Sequence, residues 1–192
     1  MNPDGANAKE KIFQVVMELV KAGKNEQQIT TREVAAKAGV NLALVNYYYQ
    51  SKENLLSQVV GTMMSDIIEQ TVQNKCTEAD AQTKLRNMLL ATADAAFKYR
   101  NICKIGISLE LKAGCRNSCK LVMPLLKEIF TDCNESDLNI IALQLMIPFH
   151  HIVLNPEYYN RWLGTDFFDR EKRKHKINQM VDCILFKEVK LI

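Results

Sequence analysis

The feature that most constrains the fold is a helical spacing of apolar residues along nearly the whole chain. Near its start, Ile12, Val15, Val16 and Leu19 follow the i, i+3, i+4 and i+7 positions of one helical face. Only seven glycines and four prolines interrupt 192 residues. The sustained alternation of apolar and polar residues that indicates strands is almost lacking. We therefore predict an all-α protein of about nine helices.

Length and composition place the chain among ordinary globular proteins. It is 47% hydrophobic and 24% charged, and its length allows one domain or two small ones, each with a real core. No apolar run approaches the roughly 18 residues of a membrane span, and the polar residues 1–11 have no apolar signal region. We therefore expect a cytoplasmic protein without a membrane partner. The net charge of +3 permits nucleic-acid binding without arguing for it.

The six cysteines are expected to be reduced thiols, because the chain shows no sign of export. Cys115 and Cys119 can share one helical face, and Cys103 could join them around a soft metal ion. The favoured alternative is that all three pack as small apolar residues. We predict no metal site, no cofactor and no catalytic residue.

The stretch "ITTREVAAKAGV", residues 29–40, predicts a short helix with defined ends. Thr30 followed by Glu33 forms a capping box, and Gly39 can adopt the positive φ of a sharp turn. A second short helix is predicted from Asn41 to Tyr48, and Ser51 can cap the helix that follows. Two short helices after a longer one describe a helix-turn-helix unit, whose second helix enters the DNA major groove.

This stretch, followed by "YYYQSKENLL" at residues 47–56, resembles the TetR family of bacterial transcription regulators. The family pattern is Thr-x-Arg-x-[Ile/Val]-Ala-x-x-Ala-Gly-Val, then Tyr-x-[Phe/Tyr]-x-Ser-Lys-x-x-Leu, and the likeness extends from Lys9 to about Leu56. The resemblance implies a three-helix DNA-binding domain in residues 1–55. A long fourth helix would join it to a helical effector-binding and dimerisation domain in residues 56–192.

The resemblance also implies which residues contact the DNA backbone. Tyr47 and Tyr48 fall where the family contacts DNA, and a phenol can donate to a phosphate oxygen. Lys52 falls at a phosphate contact at the start of the fourth helix. Thr31 and Arg32, at the start of the second helix, are expected to hold another phosphate.

Base reading is expected from the third helix, through Asn41, Leu42, Ala43 and Asn46. Asparagine can pair with adenine, and small apolar groups can touch a thymine methyl. Position 46 is often tyrosine in the family, so Asn46 departs from the pattern and could read a base instead of contacting a phosphate. Tyr49 falls at a core aromatic position. The alternative that all three tyrosines are core residues is disfavoured, because three successive residues cannot share one helical face.

The C-terminal half is predicted to form a two-fold dimer, which would suit a palindromic operator. A helix that is apolar on nearly all sides must be covered on nearly all sides. Two such helices from each chain could build a four-helix interface, as in the TetR family. The residues predicted at this interface are Leu138, Leu145, Phe149, Ile152, Ile177, Val181, Ile184 and Leu185.

The family likeness further implies a pocket for a small hydrophobic or amphipathic effector among the middle helices. The candidate lining residues are Met88, Phe97, Ile105, Leu109, Met123, Phe130, Met146 and His150, each of which could equally be core. His150 and His151 point about 100° apart on a helix and so cannot easily share a metal ion. Residues 155–164, "NPEYYNRWLG", are predicted to be a connector. The charge run from Asp169 to Lys176 is predicted to be a solvated helix face.

The function predicted from these features is that of a ligand-responsive, sequence-specific transcription regulator, most simply a repressor that a small molecule releases from DNA. An enzyme on a helical scaffold is disfavoured, because we find no nucleophile motif, no paired carboxylates and no clustered metal ligands. A helical adaptor that binds protein or RNA is the remaining alternative.

Overall fold

A computed structural model of the chain describes residues 3–75 and 80–185, and those residues form helices joined by short turns. A short 3-10 helix, Glu26–Gln28, lies between the first two α-helices. The described α-helices are α1 (Pro3–Lys21), α2 (Thr31–Ala38), α3 (Leu42–Tyr49), α4 (Lys52–Lys75), α5 (Ala81–Lys98), α6 (Arg100–Lys112), α7 (Arg116–Ile129), α8 (Glu135–Leu154), α9 (Pro156–Leu163) and α10 (Arg170–Leu185). The predicted all-α class is confirmed.

The chain divides into two compact units. Unit 1 comprises Met1–Ser65 and Tyr99–Leu109, and unit 2 comprises Asp66–Lys98 and Glu110–Ile192. Unit 1 is larger than residues 1–55, because the first part of α4 and most of α6 complete its core. A compact unit is not a functional domain, so the domain boundary after residue 55 stays a prediction.

Unit 1 is built on contacts among α1, α2 and α3. Its core takes apolar side chains from these helices and from the segments of α4 and α6 that belong to the unit. The residues with the least exposure are Ile12, Val16, Val20, Ile29, Val34, Leu55, Leu56, Val59 and Cys103. These contacts fix α2 and α3 on a rigid base.

Unit 2 is arranged around α8, which packs against α5, α7, α9 and α10. By length and composition α8 could cross a membrane, but half of its most apolar 18-residue window is buried in the protein. Such burial is typical of the core helix of a globular unit. Phe167, which follows α9, is the largest side chain that is completely buried.

The C-terminal helices have well-defined ends, and one of them was not predicted as a helix. Residues 156–163, predicted as part of a connector, form α9, which Pro156 begins and Gly164 ends in the left-handed conformation with φ 59°. Helix α8 is capped by Asn134, whose side chain accepts from Asp137 N at 3.0 Å. Helix α10 begins at Arg170 because the Asp169 carboxylate caps the amides of residues 171 and 172.

Candidate nucleic-acid interface and effector domain

The turn between α2 and α3 has the geometry that the sequence predicts. Thr30 Oγ1 accepts a hydrogen bond from Glu33 N at 3.1 Å, which caps α2. Gly39 is left-handed with φ 65°, and the next residue, Val40, donates its N–H to Ala35 O at 3.0 Å. These bonds end α2 and allow α3 to begin two residues later.

The second half of the predicted Thr30–Glu33 capping box does not form. Glu33 Oε1 instead accepts from Lys24 Nζ at 2.7 Å, an ion pair that draws the carboxylate away from the Thr30 amide. A complete capping box forms at the 3-10 helix, where Asn25 and Gln28 exchange side-chain and backbone hydrogen bonds. Our sequence reading missed this box, although the Asn-x-x-Gln spacing signals it.

Helix α3 presents a continuous outward face. Ala43, Asn46 and Tyr47, at the i, i+3 and i+4 positions, are all exposed. Val45 and Tyr49 lie on the opposite side, where each retains only 2% of its accessible surface. A helix that is anchored on one side and open on the other can enter a groove without unfolding the unit.

The three consecutive tyrosines have three different environments. Tyr47 is 76% exposed, and its ring meets Tyr48 edge-on with centroids 5.2 Å apart. Tyr48 is half-buried and packs against the unit 1 core. Tyr49 is buried and donates its hydroxyl to Lys9 O at 3.0 Å. Burial, helped by the charge of Glu10, raises the pKa of Tyr49 to about 12.

Asn41 and Leu42, two of the four predicted base readers, also have structural roles. Asn41 Oδ1 accepts from Ala43 N at 2.9 Å and so caps α3, although its side chain remains exposed. Leu42 is half-buried and packs against the unit 1 core. Ala43 and Asn46 therefore present more free surface than Leu42 does.

The predicted phosphate-contacting residues lie at helix starts and on the outward side of α3. Arg32 is exposed in the first turn of α2, and Thr31 beside it is half-buried. Lys52 opens α4, where Ser51 Oγ caps Asn54 N at 3.0 Å as predicted. Lys52 Nζ donates to Glu26 O at 3.1 Å, a contact that the sequence did not reveal.

The effector-pocket candidates do not form one group. Ile105 and Leu109 belong to unit 1, where Ile105 packs against the core. The other six belong to unit 2; Met88, Met146 and His150 are buried there, and Phe97, Met123 and Phe130 are half-buried. Two surface cavities of unit 2, described below, are lined by none of the eight. Their role in ligand binding stays a prediction.

His150 takes part in a buried polar cluster. Its Nδ1 lies 3.6 Å from the Cys115 thiol, and burial lowers the pKa of His150 to about 4 despite the opposing charge of Glu110. Glu110 caps α7 by accepting from the amides of Asn117 at 2.7 Å and Ser118 at 2.9 Å. Burial disfavours the Glu110 carboxylate, but these hydrogen bonds outweigh it and lower its pKa. With a pKa of about 4, His150 is neutral at pH 7.

Cys115 has a left-handed backbone with φ 58°, and burial raises the pKa of its thiol. Burial likewise raises the pKa of Cys119 and of Cys103. A thiol with a raised pKa stays protonated at pH 7 and is a poor nucleophile. These three cysteines therefore act as packed apolar groups. Within residues 3–75 and 80–185, no group of three or more cysteine, histidine or acidic residues could hold a metal ion.

The residues predicted at the dimer interface are mostly buried within their own chain. Leu138, Leu145, Phe149 and Ile152 on α8 retain only 3–6% of their surface, because α5, α7 and α10 already cover them. Ile177 and Val181 on α10 are equally buried, whereas Ile184 and Leu185 are half-buried. The six buried side chains have little area left for a partner subunit, and the assignment of all eight residues to an interface stays a prediction.

A different face of α8 is open. Ile140, Leu143 and Ile147 are 51%, 36% and 38% exposed at the i, i+3 and i+7 positions. Beside them lies an apolar groove of about 360 Å³, whose lining residues are Ile141, Gln144, Leu145, Pro148, Met180, Cys183 and Ile184. We call this surface the α8–α10 apolar face.

Residues 27–59 match the sequence model of the bacterial regulatory proteins of the tetR family. The match contains all of α2 and α3 and the first turns of α4. No curated protein sequence matches the chain.

Solved structures of TetR-family proteins share the fold over 90–97% of the chain. FadR of Thermus thermophilus, a transcriptional repressor in complex with lauroyl-CoA, has a TM-score of 0.68 at 18% identity, over 90% of this chain and 92% of that one. A TetR regulator from Rhodococcus sp. RHA1 has a TM-score of 0.61 at 16% identity, with 97% and 99% covered. FadR of Bacillus subtilis in complex with stearoyl-CoA has a TM-score of 0.59 at 13% identity, with 93% and 98% covered.

The matched segment coincides with the helix-turn-helix unit, and the solved structures share the helical arrangement that follows it. Residues 27–59 thus carry the sequence pattern of the tetR family, and the chain shares its fold with solved TetR-family regulators.

Proposed function

We propose that the protein is a repressor that binds a palindromic DNA operator as a homodimer and leaves it when a small molecule binds. The observation that carries this proposal is the outward face of α3. Ala43, Asn46 and Tyr47 are exposed together on a helix whose other side is locked into the unit 1 core. We further propose that it acts in the cytoplasm, without catalytic activity.

DNA-backbone contacts are assigned to groups that surround this face. Arg32 is exposed at the start of α2, and Tyr47 offers a free phenol that can donate to a phosphate oxygen. Thr31, Tyr48 and Lys52 are half-buried, so they would contribute their polar ends while their stems pack. Asn46 is the proposed base reader, because its exposed amide can pair with adenine.

The proposed dimer forms through the α8–α10 apolar face. Ile140, Leu143 and Ile147 form an exposed apolar stripe of a kind that monomeric proteins rarely leave uncovered. A two-fold axis would pair each stripe with its copy, and Met180 and Ile184 would extend the contact along α10. This proposed interface keeps Ile184 from the sequence-based prediction and adds the exposed stripe of α8.

The proposed effector is an amphipathic molecule of the acyl-coenzyme A class. Two proteins of the same fold are complexes with lauroyl-CoA and stearoyl-CoA. Unit 2 supplies both kinds of surface that such a molecule needs, an apolar interior and a cationic α10. An effector that binds unit 2 would release DNA only if it favours a conformation that binds DNA weakly.

Selection from a random duplex library tests the proposal as a whole. The purified protein is expected to enrich a palindrome whose half-sites are centred about one helical turn apart. Lauroyl-CoA is then expected to lower its affinity for that duplex, whereas free laurate and acetyl-CoA serve as controls. Enrichment of no sequence would exclude a sequence-specific regulator, and enrichment without release would exclude this effector class.

A helical adaptor without a DNA-regulatory role is the second candidate. It is supported only by the exposed apolar face, which could receive another protein. Failure of the library selection together with a monomeric protein in solution would favour it.

A further inference from the structure

A groove of about 310 Å³ lies on unit 2 between α5 and α10. Its lining side chains are Thr71, Asn87, Leu90, Ala91, Asp94, Arg170 and Lys174. Arg170 and Lys174 are one helical turn apart on α10, so both side chains lie on the same side of that helix. We call this surface the α5–α10 groove.

The carboxylate in the groove is already neutralised by a cation from the interior. Asp94 Oδ1 accepts from Arg173 Nη2 at 2.6 Å, and Arg173 is only 5% exposed. The Arg173 guanidinium lies 4.8 Å from the Phe97 ring centroid and donates to Phe167 O at 2.7 Å, which fixes it in place. Asp94 and Arg173 together therefore form a neutral, preorganised unit at one edge of the groove.

The two exposed cations then leave an excess of positive charge. Arg170 Nε donates to the second oxygen of Asp94 at 2.8 Å, and its Nη1 lies 3.7 Å from exposed Glu171. Asp94, Arg173, Arg170 and Lys174 together carry one negative and three positive charges, a net charge of +2, which Glu171 lowers to +1. Among the described residues, Lys174 has no carboxylate within salt-bridge distance.

The dipole of α10 does not favour positive charges at this position. Positive side chains in the first turns of a helix oppose its dipole, which favours carboxylates there. The first seven residues of α10 nevertheless include Arg170, Lys172, Arg173, Lys174 and Lys176. Arg173 has a structural partner in Asp94, whereas Lys174 has no carboxylate partner among the described residues, so its ammonium group is available to an anion from outside the chain.

The chemistry of the groove suits an organic phosphate. A guanidinium and an ammonium group at its edge match phosphate oxygens, and the Asn87 amide adds a polar group. Leu90 and Ala91 give it an apolar wall that an organic ring or chain can contact. An inorganic anion would leave that wall unused.

We propose that the α5–α10 groove binds the phosphate groups of an organic phosphate, the polar part of the effector, with Lys174 and Arg170 as its cationic contacts. The inference rests on the proposed effector-responsive function and names where the anionic end of the molecule is held. It does not depend on which acyl chain follows.

Isothermal titration calorimetry on the full chain tests the proposal, with free coenzyme A as the probe. Pantetheine, which lacks the nucleotide and all phosphates, is the ligand control. The variant is Lys174→Gln, and the matched control is Lys172→Gln. Lys172 is equally exposed on α10 but lies about 200° around the helix from the groove lining.

Wild-type protein and Lys172→Gln are expected to bind coenzyme A with equal affinity, and Lys174→Gln is expected to bind it about tenfold more weakly. None of the three proteins is expected to bind pantetheine detectably. Equal binding by Lys174→Gln and Lys172→Gln, or no binding of coenzyme A by the wild type, would overturn the inference.

A second titration with a non-operator duplex identifies a different ligand. If Lys174→Gln weakens only the binding of this duplex, the groove contacts DNA and the inference is wrong. Operator binding is measured separately by anisotropy. The repressor proposal can therefore fail or stand independently of the groove.

Discussion

Lys52 Nζ donates a hydrogen bond to the backbone carbonyl of Glu26 at 3.1 Å, which ties the start of α4 to the 3-10 helix before α2. The resemblance to the TetR family predicts that the same lysine contacts a DNA phosphate. One ammonium group has three donors, so it can keep the Glu26 bond and still contact a phosphate. We propose that this bond holds the Lys52 ammonium group in position for a DNA phosphate.

Lys52→Ala is expected to weaken binding to operator and random duplexes by the same factor, about tenfold, because a phosphate contact carries no sequence information. Loss of the Glu26 bond should also lower the free energy of unfolding by about 1–2 kcal/mol. Anisotropy titrations and urea denaturation measure the two effects. A larger loss on the operator than on the random duplex would contradict a backbone-only role.

Asn46→Ala is expected to relax preference at one base position while leaving stability unchanged, because its amide is exposed on α3. Discrimination at that position should fall by about 1–3 kcal/mol. Duplexes with each single-base change measure this loss, with Gln58→Ala on exposed α4 surface as the control. Unchanged discrimination at every position would remove Asn46 from base reading.

Tyr47→Phe and Tyr49→Phe each remove one hydroxyl group, but they are expected to affect different properties of the protein. The Tyr49 hydroxyl donates to Lys9 O, so its loss should cost about 1 kcal/mol of stability and leave DNA affinity unchanged. The exposed Tyr47 hydroxyl should matter for DNA affinity alone. Denaturation and anisotropy of both variants separate these roles, and matching effects would refute the separation.

Protonation of His150 should make the free energy of unfolding depend on pH. Its pKa is about 4 in the folded protein and about 6.5 in an unfolded chain, so between these values only the unfolded state takes up the proton. Stability should therefore fall by about 3 kcal/mol as the pH drops from 7 to 4. His150→Gln should remove that part of the loss, whereas the exposed control His175→Gln should retain it. Identical pH profiles for both variants would show that His150 is not the titrating group.

The α8–α10 apolar face predicts the behaviour of two charge substitutions. Leu143→Lys together with Ile147→Lys should produce a monomer, because two ammonium groups per chain would be buried at the proposed two-fold axis. Sedimentation velocity measures the oligomeric state. Leu121→Lys, on α7 and 40% exposed, is the matched control and should leave the dimer intact. A dimer that survives the double substitution would place the interface elsewhere.

Local chemistry made the helix-turn-helix unit predictable. Thr30, Gly39 and Ser51 act through bonds that span only a few residues, so the sequence alone determines them. The same local signals occur at Pro156 and Gly164, which begin and end α9, although residues 155–164 are predicted as a connector. That prediction failed because eight residues make a weak periodic pattern, not because the capping signals were lacking.

The contacts that depend on distant parts of the chain were not predictable. The apolar periodicity correctly indicates that Leu145 and Phe149 are buried against other helices. It cannot tell whether those helices belong to the same chain or to a partner subunit. The Lys52–Glu26 bond and the Asp94–Arg173 pair join residues that are 26 and 79 positions apart. Only the packed structure shows them.

The most direct test of the account is the binding of the purified protein to its own upstream DNA by fluorescence anisotropy. The experiment uses two salt concentrations and a random duplex of equal length. We expect tight binding to the upstream fragment that weakens steeply with salt, and much weaker binding to the random duplex. Equal affinity for the two duplexes at both salt concentrations would contradict sequence-specific regulation at this site.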